Sequence, residues 1–172
     1  MLVTAVLLYS LLDPAMRSGA LASLEALGWL PVFLIVGVFL IAVAIYCRSL
    51  QRCLSLVAPA RRVAEPRSVW YMFLIPYNFI EDFFIVKNVA RSLENEARLN
   101  PRLANIKHFG AVSGYGWCSA QLVSLLPNLA GEIAAVVALF FWLIHWRFIW
   151  RINSLLGAKK MNAAVAGQGD CP

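Results

Sequence analysis

Between Gly28 and Cys47 the chain runs GWLPVFLIVGVFLIAVAIYC without one charged side chain. At 1.5 Å per residue a helix of that length covers ~30 Å, the thickness of a bilayer's hydrocarbon core. Trp29 and Tyr46 stand near its two ends, where aromatic rings favour the headgroup level. The rest of the chain has the same character, 61% hydrophobic and 14% charged. That is too little polar surface to cover a water-soluble globule. Backbone groups in lipid must be satisfied within the chain, which leaves helices or a closed barrel. The apolar residues come in unbroken runs rather than alternating, so the expected fold is an all-α integral membrane protein.

Three secure transmembrane helices are expected. The first is Gly28 to Cys47; Phe109 to Leu126 and Leu129 to Trp150 form a hairpin about a Pro127-Asn128 turn. The first twelve residues are apolar but lack a basic leader and reach only ~18 Å, so they read as no cleavable signal and a truncated or interfacial segment. Asp13-Pro14 looks like a helix start leading to Gly28. A single helical membrane domain over residues 1–158 is expected, with a disordered tail over 159–172.

The stretch Val69 to Ala90 is broken. It holds Pro76, Asn78, Glu81, Asp82 and Lys87, costly company for a lipid-facing span. Asn78 and Glu81, three residues apart, read as a capping box that opens a new helix after Pro76. In that helix Ile85, Val86, Val89, Ala90 and Leu93 share one face, and Lys87, Arg91, Glu94, Asn95 and Arg98 fall mostly on the other, with Glu94 and Arg98 one turn apart. Charge favours a re-entrant or interfacial segment over a fourth span. If it dips in and returns, 14 of the 15 basic residues lie on the cytoplasmic side together with the C-terminus, leaving only Arg17 outside. The basic linker Arg48, Arg52, Arg61, Arg62 and Arg67 is opposed by Glu65 alone, and the net charge of +6 points to anionic lipid headgroups rather than nucleic acid.

Three strings stand out: Pro66-Arg67-Ser68-Val69-Trp70, Ile75-Pro76-Tyr77-Asn78, and Val89-Ala90-Arg91-Ser92-Leu93-Glu94. With the Trp-rich terminal hairpin they resemble small bacterial four-span membrane proteins grouped as a domain of unknown function. The resemblance runs from Leu30 to Leu156. It implies a bacterial cytoplasmic membrane and a shortened first span, and it implies no activity.

Candidate sites are few. Glu81 and Asp82 form a candidate ion site, with a cap and a helix-terminus charge as the plainer reading. His145, flanked by Trp142, Trp146 and Trp150, and His108 on the paired helix are candidate ligands for haem or chlorophyll; the plainer reading is an aromatic belt ending in snorkelling Arg147 and Arg151. Gly110, Gly114, Gly131 and Ala135 have the small-residue spacing of close helix packing, within the chain or against another. The cysteines Cys47, Cys53, Cys118 and Cys171 show no metal-ligand spacing; Cys118 reads as buried packing and Cys47 as interfacial. Ser, Cys and His are too scattered to pair a nucleophile with a base. The expectation is therefore a non-catalytic accessory or scaffolding subunit of a larger membrane assembly, without cofactor. The alternatives are a small oligomeric transporter or channel with its pathway at the Ile75–Asp82 break, and a haem- or pigment-associated subunit.

Overall fold

The structure, a computed structural model, describes residues 29–74 and 78–168. The expectations for Met1 to Gly28 and for the Ile75-Pro76-Tyr77 break lie outside the described residues, as does the Asn78 side chain of the expected capping box. Among the described residues the fold is all helical: α1 (Trp29–Leu56), α2 (Asn78–Ala97), α3 (Ala111–Val123) and α4 (Leu129–Gln168), joined by short 3₁₀ segments.

Two helices are long and apolar enough to cross a membrane, α1 over Phe33–Leu56 and α4 over Leu129–Ala158. The outer face of α1 exposes Leu30, Phe33, Leu34, Ile35, Val38 and Ile41, the opposite of a soluble core helix. α1 continues past Cys47 because Arg48, Leu50, Gln51 and Arg52 are good helix formers. It ends where Ala58, preceding Pro59, turns extended. The third expected span is shorter than its apolar run. α3 has 13 residues, ~20 Å against the ~30 Å of a bilayer core. A left-handed turn trims its start, with φ +62° at His108, +43° at Phe109 and +78° at Gly110, and after Val123 the helix closes through Ser124 into tighter turns over Leu125 and Leu126. The backbone of α4 is helical to Gln168, through an alanine-rich stretch suited to helix, while residues 169–172 of the expected tail lie outside the described residues.

Contacts fix the relative directions of the helices. Phe39 meets Trp142, Tyr46 meets Trp146, and the Asn153 side chain donates to the Ser49 carbonyl at 2.9 Å. The two numbers rise together, so α1 and α4 run parallel. α3 runs antiparallel to α4, with Gly110 beside Phe148 and Gly116 beside Phe141. The linker after α1 folds back along it. Trp70 Nε1 donates to Gln51 at 2.9 Å, and the Cys47 thiol lies 3.7 Å from the Val69 carbonyl and 3.6 Å from Met72 Sδ. Cys47 is therefore buried rather than interfacial, because the 3₁₀ segment Pro66–Phe73 covers it. α2 then returns parallel to α1, from Asp82 beside Gln121 to Glu96 at the end of α1.

The return is pinned by polar contacts. Glu96, 3% exposed, accepts from Arg61 at 2.7 Å and from the Ala58 backbone N–H at 3.3 Å. A buried carboxylate would otherwise be costly, so the guanidinium and the amide decide where the linker docks. Ser92 accepts from the Val63 N–H, and Asn95 donates to the Arg61 carbonyl. On the other side of α2, Ile85, Val86, Val89 and Leu93 are buried and Arg91 and Glu94 exposed, the division their helical spacing predicts.

Candidate functional site

The small residues of the hairpin decide how closely α3 approaches its neighbours. A β-carbon on Gly114 would collide with the Val86 side chain of α2 and stand 3.2 Å from His145 Cε1 of α4. One on Gly110 would stand 2.6 Å from the Phe148 ring. Gly131 fits against the Leu126 carbonyl at the turn, its N–H held by Asn128 Oδ1 at 3.1 Å. These three glycines are filled from within the chain, whereas Ala135 lines a cavity.

That close packing brings polar side chains from all four helices into one buried region. Asp82, read from the sequence as a candidate ion-site member or more plainly a helix-terminus charge, is fully buried. One carboxyl oxygen, Oδ2, accepts from Gln121 Nε2 at 3.3 Å. The other, Oδ1, has no hydrogen-bond partner among the described residues, and neither does Gln121 Oε1. Two orphan acceptors thus sit on two side chains already bonded to each other. Unsatisfied buried acceptors are expensive, and a proton or small cation held by the pair would remove the deficit. The Tyr46 hydroxyl is also buried and unpartnered, its ring enclosed edge-on by Trp117, Trp142 and Trp146.

His145 belongs to the same core, not to an exposed belt. Its Nδ1 lies 3.0 Å from the Gly110 carbonyl and 3.2 Å from Ser113 Oγ. A carbonyl only accepts, so Nδ1 carries a proton, and Nε2 is left buried without a partner. The ring is 1% exposed, between Tyr46, Phe148 and the two glycines, which encloses it rather than presenting it to a flat cofactor. His108 is exposed and lines a surface hollow with Lys87, Arg91 and Glu94. Trp142 is buried and Trp146 half-buried, so only Trp150 of the tryptophan series is outward-facing. Glu81, beside Asp82 in sequence, is half-buried. Among the described residues no group of three or more His, Cys, Asp and Glu is placed to hold a metal ion.

Gln121 also faces a cavity of about 440 Å³ between α1, α3 and α4. Phe39, Val43, Trp117 and Trp142 make its walls, and Ser124 and Glu132 join Gln121 as its polar lining. Asp82 is thus one side chain behind a half-open apolar cavity. Gln121 was missed by sequence reasoning, which treated its helix as packing surface alone. The available signal was one uncharged amide in an apolar helix, where such side chains seek a partner on another helix.

No family model matches the chain, and no curated protein and no solved structure matches it.

Proposed function

We propose that this chain is a small transport protein of the bacterial cytoplasmic membrane, and that Asp82 takes up and releases the proton or small cation it moves. The observation that carries this reading is the pair of orphan acceptors at Asp82 Oδ1 and Gln121 Oε1, buried beside a cavity. Intramembrane ionisable groups are costly to retain and mark ion or proton pathways in membrane proteins. The segment from Pro66 through α2 is re-entrant in this reading. Its support is the run of contacts from Gln51–Trp70 down to Cys47–Met72 and back up to Ala58–Glu96, which returns the chain to the level it left. Arg48, Arg61 and Arg98 then share the cytoplasmic side, as the charge bias asks.

The accessory-subunit reading drew on the lack of recognisable chemistry, on small-residue packing faces and on aromatic-rich outer surfaces. Gly110, Gly114 and Gly131 meet Phe148, Val86 and Leu126 of their own chain, so the small-residue faces do not by themselves call for a partner. Reconstitution into liposomes tests the transport reading, with an entrapped pH dye and an imposed membrane potential. The wild type should pass protons or sodium, Asp82→Asn should not, and Glu65→Gln, which alters an exposed acid away from the cavity, should retain most of the flux. Folded wild-type protein without flux, or Asp82→Asn with full flux, overturns the proposal.

A further inference from the structure

Where α1 and α4 emerge at their arginine-bearing ends, a second groove of about 300 Å³ opens between them. Arg48 and Arg52 of α1 line one wall, and Trp150 and Ser154 of α4 the other. The floor is pinned: Asn153, 6% exposed, donates to the Ser49 carbonyl at 2.9 Å and fixes the separation of the helices. Trp150 is 71% exposed, and on its far side a wider hollow is lined by Arg147 and Arg151. Because α1 and α4 run parallel, all four guanidiniums lie toward the same end of the bundle.

No carboxylate lines either hollow. The ion pair found among the described residues, Arg61 to Glu96, lies elsewhere. Ile45 and Ile144, both exposed, continue the two hollows toward the apolar part of the helices. The hydroxyl protons of Ser49 and Ser154 are spent on the carbonyls of Ile45 and Trp150. Ser49 Oγ already accepts from Trp146 Nε1 at 3.4 Å, which leaves the Ser154 oxygen to accept.

We propose that this groove binds the headgroup of an anionic phospholipid of the phosphatidylglycerol type. The phosphate lies between Arg48 and Arg52, a glycerol hydroxyl donates to Ser154, and an acyl chain runs down along Ile45. Basic hollows between transmembrane helices at the cytoplasmic side suit such headgroups, and an exposed tryptophan suits the same depth. The site stands apart from Asp82 and does not depend on the transport reading.

The test is native mass spectrometry of detergent-purified full-length chain offered equal amounts of phosphatidylglycerol and phosphatidylcholine. The wild type should retain phosphatidylglycerol preferentially. Each arginine near an anionic headgroup is worth about a five-fold factor, so R48Q/R52Q should weaken that retention about thirty-fold and leave phosphatidylcholine unchanged. R98Q/R102Q, which removes the same charge from exposed positions elsewhere, should keep it. Equal retention of the two lipids by the wild type overturns the proposal. So does an equal loss in R98Q/R102Q, or displacement of the lipid by soluble glycerol phosphate at matched concentration. Should the double variant fail to fold, R52Q alone decides, with about a five-fold loss expected and an unchanged preference refuting the site.

Discussion

Gly114 offers the sharpest test of the packing on which the buried site depends. Gly114→Ala adds one carbon that would strike Val86 Cγ1, stand 2.9 Å from Val86 Cγ2 and 3.2 Å from His145 Cε1. Val86 is 1% exposed and β-branched, so it has one favoured rotamer in a helix and nowhere to turn. Accommodation therefore requires α2 and α3 to separate, an overpacking cost of about 1–3 kcal/mol. Alanine returns about 0.5–1 kcal/mol of helix propensity, which leaves a net loss of up to about 2.5 kcal/mol. Gly157→Ala is the control. A β-carbon there meets nothing within 4 Å, so only the propensity gain remains and the variant should be slightly more stable than wild type. Unfolding in mixed micelles, titrated with a denaturing detergent and followed by far-UV circular dichroism, measures both. Adding Val86→Ala to Gly114→Ala should cost less than the two single changes summed, since it removes the colliding methyl groups. Wild-type stability in Gly114→Ala, or equal losses at positions 114 and 157, refutes the close α2–α3 contact.

Single cysteines at positions 62 and 98, in a chain whose native cysteines are replaced, should react with an impermeant reagent from the same side of the membrane; labelling from opposite sides refutes the re-entrant segment.

Length and charge made much of the fold legible. α1 and α4 could be read because their apolar runs are long enough to cross a bilayer, and the buried stripe of α2 follows from helical spacing alone. α3 was misjudged because an apolar run says where lipid is tolerated, not where helical geometry starts; the left-handed turn at His108 to Gly110 is a backbone event with only one glycine to announce it. The site was half legible for a related reason. Asp82 drew notice as a charge in an apolar region, but its local sequence also suited a plain helix-terminus charge. What buries it is tertiary: the closeness of α2 and α3 at Val86 and Gly114, which carries Gln121, 39 residues away, onto the carboxyl. Glu96 and Arg61 pair across 35 residues by the same logic, through a linker whose path depends on the helix it docks to. Local pattern reports which face of a helix is apolar; it does not report which buried polar group on one helix will answer a polar group on another. In an apolar bundle each such group costs too much to leave alone, so the chemistry collects where two of them meet, as Asp82 and Gln121 do.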